Sequence, residues 1–518
     1  MSSNYDTIPT MFKSIVENDP EKKLFNYKEG NSWISLKSKE VYSIVESISS
    51  ALRSYELSIN DKAAILSSTS YKWALSDYGI LCNGSVTVTV YPTLIDSQIK
   101  YILNNSGTKL IFVENNEQLL KINNIKDQCP SLKIIVMLDN SANSSDQVVN
   151  FDDFIQRGRD YKESNGFDFE DAINSVKPND LLTLIYTSGT TGTPKGVMLS
   201  HNNLISNIKA VKKVQDDIDN ERFLSFLPLS HVLERMAGHF FALSVDGEIF
   251  YAENMETVGE NMVEVSPTIV IAVPRFFEKI YAKIMNGLKS APSTKVKLFN
   301  WALKVGKNYT NIIHANQSPP FFLKMKYNIA DKLIYSKVRK KLGGKIKFFI
   351  SGGAPLSSNI AEFFAGIGIT ILEGYGLTET SPVLTSNTPE KIRFGYVGTK
   401  LYNVDLKIAE DGEILAKGPN IMLGYYNDEE STSKAIDENG WFHTGDIGKV
   451  DEDGFLKITD RKKSLLVTSA GKNIAPAPLE NAIKSSDYVD QVLVIGDQRN
   501  FISALIVPDF LTVNKYLN

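Results

Sequence analysis

The run Tyr186-Thr187-Ser188-Gly189-Thr190-Thr191-Gly192-Thr193-Pro194-Lys195-Gly196 follows an apolar stretch, Leu181 to Tyr186, and has the residue types of a phosphate cradle. Glycines at 189, 192 and 196 let backbone N–H groups approach an anion, the hydroxyls add donors, and Lys195 brings a cation on a flexible stem. The spacing is not that of a P-loop NTPase, where the lysine directly follows the last glycine and a Ser or Thr follows the lysine. Here Thr193 and Pro194 intervene, and Gly196 follows. Composition alone fits an ordinary turn as well as a phosphate site.

Other segments carry residues suited to the same ligand. Gly374-Tyr375-Gly376-Leu377-Thr378-Glu379-Thr380 comes after the apolar run Ile369 to Glu373. A carboxylate such as Glu379 beside a polyphosphate is repelled unless a hard divalent cation bridges the two. Ser351-Gly352-Gly353-Ala354-Pro355 is a second small-residue turn after an apolar run. Trp441-Phe442-His443-Thr444-Gly445-Asp446 places a carboxylate, acceptor-only and able to be bidentate, where it could hold a pair of hydroxyls. Taken alone, Asp446 reads as a hairpin residue, and the charge run Asp460-Arg461-Lys462-Lys463 as solvated surface.

In their order these segments resemble the adenylate-forming superfamily of acyl-CoA synthetases, luciferases and peptide-synthetase adenylation domains, from about Asp61 to Pro508. The first run is similar to its AMP-binding signature. The resemblance implies that Thr187, Ser188, Gly189, Thr190, Thr191, Gly192 and Lys195 hold ATP phosphates, and that Gly353, Ala354 and Pro355 line the adenine and carboxylate side of the site. It implies that Glu373, Gly374, Tyr375 and Gly376 form the adenine motif, with the tyrosine ring on the base and Thr378 at the α-phosphate. Thr187 and Glu379 would then hold Mg²⁺, Asp446 the ribose hydroxyls, and Arg461 and Lys463 further nucleotide contacts, with Asp460 as a pivot. Leu227-Pro228-Leu229-Ser230-His231-Val232-Leu233-Glu234-Arg235 and Val273-Pro274-Arg275-Phe276-Phe277-Glu278-Lys279-Ile280 are similar to long-chain fatty acyl-CoA synthetases in particular. There the histidine, here His231, lies by the acyl carboxylate, a positioning role. The implied activity is ATP-dependent conversion of a long-chain fatty acid, through an acyl-adenylate, to acyl-CoA, with coenzyme A as second substrate. A fatty acyl-AMP ligase, or a nucleotide-binding protein impaired in adenylation, is the alternative.

These residues need a scaffold that the rest of the chain can supply. At about 150 residues per domain, 518 residues imply roughly two to four domains with ample core. Ala63 to Leu66, Ser85 to Val90, Lys109 to Val113 and Leu132 to Met137 read as strands, with a helix near Tyr71 to Leu81, and the polar stretch Asn140 to Asn150 reads as a surface loop. A second series follows near 181–187, 223–227, 268–273, 346–351 and 369–373, with helices between; one helix starts at the N-cap Ser200 and puts Leu204, Ile208 and Val211 on one face. After Phe394, Asp411-Gly412, Asn439-Gly440 and Asp453-Gly454 mark tight turns of a small distorted β-barrel. The expected fold is α/β: a large domain, 1–459, of two doubly wound subdomains plus the barrel, then a hinge and a small α+β domain, 460–518. Ligands in such sheets sit beyond the carboxyl ends of the strands, where the first signature falls.

A net charge of -4 gives no sign of a nucleic-acid partner, and only Cys82 and Cys129 are present, which suits a reducing cytoplasm. Met1 to Pro9 lacks the character of a signal peptide, and no apolar run approaches the about 18 residues of a membrane span, so any membrane contact would be peripheral. Lys324 to Lys347 is strongly basic with Asp331 its one acid; it reads as a solvated helix ending at Gly343, with CoA phosphates or an anionic bilayer as alternative partners. The resemblance also leads one to expect an adenylation lysine in a Pro-Thr-Leu-Lys-like run near the end of the small domain. Lys515 does not sit in such a run, and the small domain reads as incomplete.

Overall fold

A computed structural model describes residues 5–142, 145–187, 193–215, 218–289, 291–314, 317–462, 466–467, 473–474, 476–484, 486, 488–497 and 499–517. Two wound sheets form its body. In the eight-stranded sheet, Leu181–Thr187, Val86–Val90, Lys62–Leu66, Leu110–Val113, Ile134–Met137 and Val148–Asn150 lie side by side and parallel. Lys195–Ser200 and Gly424–Tyr425 add antiparallel strands at the Leu181 edge. The central strands Val86–Val90, Leu110–Val113 and Ile134–Met137 are buried along their whole length, as expected for parallel strands covered by helices on both faces, and this is why the last two read as unbroken apolar runs.

The nine-stranded sheet runs Thr399–Lys400, Val383–Ser386, Thr370–Gly376, Phe348–Ser351, Ile269–Ala272, Arg222–Ser225, Glu248–Tyr251, Lys23–Glu29 and Ser32–Lys37. Its interior pairings are parallel, and its outermost ones antiparallel. Two assignments differ from the sequence reading. Leu181–Thr187 belongs to the first sheet, paired with Val86–Val90, and the second sheet instead takes up the N-terminal hairpin Lys23–Glu29/Ser32–Lys37. Chain order says nothing about which edge a strand joins, so the alternation of elements could not reveal either exchange. Within the expected loop 140–150, Val148–Asn150 forms a short edge strand on Ile134–Met137.

The helix His201–Val214 begins as expected. Ser200 accepts the amide N–H of Asn203, and Leu204, Ile208 and Val211 are buried on one face. The expected β-rich segment is a four-stranded antiparallel sheet: Asp405–Ile408, Glu413–Lys417, Phe442–Val450 and Leu456–Arg461. Its last strand is tied to the big sheet through 397–399, by Val397 N–H to Leu456 O and Leu456 N–H to Gly398 O, both 2.9 Å. Gly412, Gly440 and Gly454 take positive φ of 85, 77 and 83° at the three expected turns. Toward the C-terminus, helix Pro476–Lys484 and the antiparallel pair Val489–Ile495/Ser503–Pro508 give the α+β pattern expected there.

One buried ion pair joins the two units. Arg235, on the π-helical segment Glu234–Phe240, donates from Nε and Nη2 to Asp77 of helix Tyr71–Cys82 at 2.8 and 2.6 Å, and from Nη1 to Thr183 Oγ1 at 2.7 Å. Thr87 Oγ1 supplies Asp77 with a further hydrogen bond at 2.7 Å, so every charged atom of the pair is occupied by a partner from another element.

Candidate active site

The carboxyl ends of strands from both sheets open onto one cavity of about 1300 Å³. Tyr91 follows Val86–Val90, Thr187 ends its strand, and Gly352 and Gly353 follow Phe348–Ser351; all line the wall, as the switch-point rule requires. Of the residues singled out in the sequence, Thr187, Lys195, His231, Gly353, Gly374, Tyr375, Gly376, Thr378, Glu379, Asp446 and Arg461 also face this cavity. Ser188, Gly189, Thr190, Thr191, Gly192 and Lys463 lie outside the described residues.

Of the phosphate-cradle segment, Thr187 and Lys195 belong to two paired strands. Leu181–Thr187 pairs antiparallel with Lys195–Ser200, and Thr187 stands opposite Lys195. Lys195 Nζ donates to Ser431 Oγ at 2.7 Å and lies 5.1 Å from the ring centroid of Tyr425. Tyr425 in turn donates its hydroxyl to Glu379 Oε1 at 2.9 Å. One tyrosine thus touches both the cation and the carboxylate. Burial and the adjacent Glu379 push the Tyr425 hydroxyl pKa far up, so the phenol remains a proton donor to the carboxylate.

Gly374, Tyr375 and Gly376 are not the turn their glycines suggested. The strand Thr370–Gly376 continues through them, paired with Val383–Ser386. A Cβ on Gly376 would sit 1.7 Å from the Pro382 carbonyl oxygen, so the glycine serves close backbone approach inside a sheet. The turn begins only at Leu377, where the short 3₁₀ segment Thr378–Thr380 presents Thr378 and Glu379.

Tyr375 and Asp446 meet across the cavity floor. The Tyr375 hydroxyl donates to Asp446 Oδ2 at 2.7 Å, while Arg461 Nε is 3.3 Å from Oδ1. The second contact follows from register, because Asp446 and Arg461 are cross-strand partners of Phe442–Val450 and Leu456–Arg461. Burial raises the Asp446 pKa above the ordinary carboxylate range, against the opposing pull of Tyr375 and Arg461. Behind this pair stands Glu413, which the sequence reading missed. It accepts the Gly445 amide N–H at 3.0 Å and Lys462 Nζ at 2.8 Å, and lies 3.1 Å from His443 Nδ1. These contacts hold the chain bearing Asp446, yet Glu413 sits thirty residues upstream in an ordinary Asp-Gly hairpin, where no local signal marks it.

His231 follows the turn at Pro228, and its Nδ1 accepts the Leu233 amide N–H at 3.1 Å. Burial lowers its pKa, so the ring is neutral near pH 7 and its proton resides on Nε2, available for donation. Val211, Val232, Leu233, Met236, Ala237 and Val383 add apolar side chains to the wall of the same cavity.

Three expected site residues stand elsewhere. The Glu373 carboxyl is buried against the backbone N–H groups of Leu356 and Gly395, where burial pushes it up to about 7, and it is not part of the cavity wall. Ala354 and Pro355 are exposed and outside the wall, since the positive φ of 79° at Gly353 turns the chain away. The segment 273–280 is packing: Pro274 opens the helix Pro274–Lys289, and Phe277 is buried against Phe349 and Phe364. Among the described residues no group of three or more His, Cys, Asp and Glu could hold a metal ion by itself.

Comparison with known proteins gives the same architecture. The fatty acyl CoA synthetase of Mycobacterium tuberculosis superposes with a TM-score of 0.69 at 21% identity, covering 100% of this chain and 91% of that one. The anthranilate CoA ligase AuaEII, solved with anthranoyl-AMP, gives a TM-score of 0.75 at 18% identity, covering 99% and 90%. In sequence, the long-chain-fatty-acid–CoA ligase FadD15 of Mycobacterium bovis is 32% identical over 507 residues, 98% of this chain and 82% of that protein. The long-chain-fatty-acid–CoA ligase ACSBG2 of Xenopus laevis is 34% identical over 515 residues, 96% and 69%. The family described as AMP-binding enzyme C-terminal domain matches residues 463–515. The family described as AMP-binding enzyme matches residues 12–426, from the N-terminal helix through both wound sheets to the strand carrying Tyr425, and the chain belongs to that family.

Proposed function

We propose that the protein is an ATP-dependent long-chain fatty acid–CoA ligase that works through an acyl-adenylate. The observation that carries this reading is the size and lining of one cavity. Its about 1300 Å³ exceeds the roughly 300–1000 Å³ of a single small-ligand pocket, and its wall carries the charged side chains of Lys195, Glu379 and Asp446 together with His231 and a set of apolar residues. A nucleotide and an acyl chain would share it, with the carboxylate at the junction.

In the first half-reaction a carboxylate oxygen attacks the α-phosphorus of ATP and pyrophosphate leaves. Lys195 neutralises phosphate charge, Asp446 holds the ribose, Tyr375 backs the base, and Thr378 faces the α-phosphate. His231 donates a hydrogen bond from its Nε2–H to the acyl carboxylate, which stays ionised and is oriented for in-line attack; positioning and charge neutralisation supply most of the rate. In the second, the CoA sulfur attacks the acyl carbonyl and AMP departs. Mg²⁺ fits the residues present: it takes one or two carboxylates along with substrate phosphates and water, and Glu379 and Thr187 offer that donor set on the cavity wall. It would arrive with ATP and offset the charge of the leaving pyrophosphate.

The domain division 1–459 and 460–518 enters the same proposal, with Asp460 as pivot. Asp460 is buried, its Oδ1 accepts the Arg461 amide at 2.6 Å, and its Oδ2 has no hydrogen-bond partner among the described residues, an arrangement open to a second conformation. Among the described residues no helix is long and apolar enough to cross a membrane.

The test is AMP formation from ATP and palmitate, with and without CoA. Turnover that requires both palmitate and CoA is expected. Full-rate turnover without CoA would assign the product to another acceptor, and no AMP with any fatty acid would leave only a nucleotide-binding protein.

Asp446→Ala is expected to weaken AMP binding by about 1.5–3 kcal/mol, the worth of hydrogen bonds to a charged group. Calorimetry with AMP decides it. An unchanged dissociation constant would remove Asp446 from the nucleotide site.

A further inference from the structure

Helix Phe321–Ala330 and the π-helical turn Asp331–Tyr335 that prolongs it carry apolar residues on two sides. The inner side is packed: Ala330 and Tyr335 are buried, Tyr335 donates its hydroxyl to the Ala302 carbonyl, and Tyr327 stacks on Tyr309 at 4.1 Å between ring centroids. On the outer side Phe321 is 75% and Phe322 70% exposed, and Met325, Ile329 and Leu333 are exposed with them. At about 100° per residue, positions 321, 322, 325 and 329 fall within one arc of about 100°, a continuous apolar stripe. A helix needs one apolar face to join a core. Among the described residues the second face stays exposed.

The stretch of chain that carries this stripe is almost wholly basic. Lys324, Lys326, Lys332, Lys337, Lys340 and Lys341 are exposed or border it, and the one acid of the stretch, Asp331, is held by Arg339 at 2.7 Å. We propose that this face docks on the surface of an anionic phospholipid bilayer, the phenylalanines entering at headgroup depth while the lysines reach lipid phosphates. An apolar stripe flanked by lysines is the pattern of helices that lie in the membrane interface. A second copy of the chain fits poorly, because a two-fold contact through this face would set lysines against lysines. The inference does not depend on the reaction assigned to the cavity.

Co-sedimentation of the whole protein with phosphatidylcholine vesicles, with and without phosphatidylglycerol, tests it. Partitioning onto the anionic vesicles is expected to exceed that onto neutral ones by about tenfold or more, since each lysine near such a surface contributes about fivefold, and to fall as salt rises. Phe321→Ser with Phe322→Ser should lower partitioning by about tenfold or more through lost apolar burial, and Lys324→Glu with Lys326→Glu by a similar factor. Both variants should keep the thermal midpoint and AMP formation of the parent, which separates lost docking from lost fold. Equal partitioning onto both lipids, or anionic binding unchanged in the phenylalanine variant, would overturn the proposal. So would a concentration-dependent dimer abolished by the phenylalanine changes, which would give the face to a second copy.

Discussion

Glu379→Ala is expected to slow pyrophosphate release from ATP and palmitate by about 10²- to 10³-fold, the range seen when one preorganised electrostatic contact to developing charge is removed. ATP binding without divalent cation should change far less. The reasoning is local. Glu379 is the one acidic side chain of the motif 374–380, it faces the cavity beside Thr378, and Tyr425 holds its Oε1 at 2.9 Å. An unpaired carboxylate there would repel the triphosphate, so its contribution depends on a cation that turns repulsion into a bridge, and the bridge matters most as charge accumulates on the leaving group. Tyr425→Phe removes the holder and leaves the ligand, so its effect should be much smaller. First-turnover release of pyrophosphate, measured against magnesium concentration, separates the two variants. Wild-type release by Glu379→Ala would end the metal role assigned to it.

How much of this was legible in the sequence differs from residue to residue. Ile134–Met137 and Ile269–Ala272 could be read as strands because parallel strands are buried on both faces and leave no polar position to blur the run. Ser200 could be read as a cap because its hydroxyl acts within three residues of itself. Gly374 and Gly376 were ambiguous in the sequence, because glycine serves a turn and a close backbone approach alike, and only the Pro382 carbonyl beside Gly376 distinguishes them. The resemblance to known enzymes picked out Asp446 and Arg461 but not their pairing, which hairpin register decides. Glu413, Tyr425 and Ser431 were invisible for a related reason: each acts on a partner far along the chain, at a distance set by sheet packing. Glu373 erred the other way. It belongs to a matched motif by order, yet its carboxyl is satisfied by backbone amides away from the cavity.

The largest stability effect is expected at the joint between the wound units. Asp77→Ala should destabilise the protein by about 3–5 kcal/mol, because it leaves the Arg235 guanidinium buried without its counter-charge. Removal of Arg235 alone should be comparably damaging, since Asp77 is fully buried. The pair also bears on the site. Arg235 grips Thr183, on the strand that ends at Thr187, and its own π-helical segment supplies Met236 and Ala237 to the cavity wall; such segments occur often where a helix is shaped by function. Loosening the joint should therefore shift Thr187 against these apolar residues, and raise the KM for fatty acid before the fold is lost. A chain with more than one unit need not melt in one step, so the readout is the thermal midpoint at a fixed scan rate together with protease resistance. The double change Asp77→Ala with Arg235→Met discriminates between mechanisms: with both charges gone, no ion remains stranded, and the variant should melt above either single one. A double variant less stable than both singles would show that the pair is held by its hydrogen bonds to Thr87 and Thr183 more than by charge neutralisation, and wild-type melting of Asp77→Ala would show that the joint bears no strain at all.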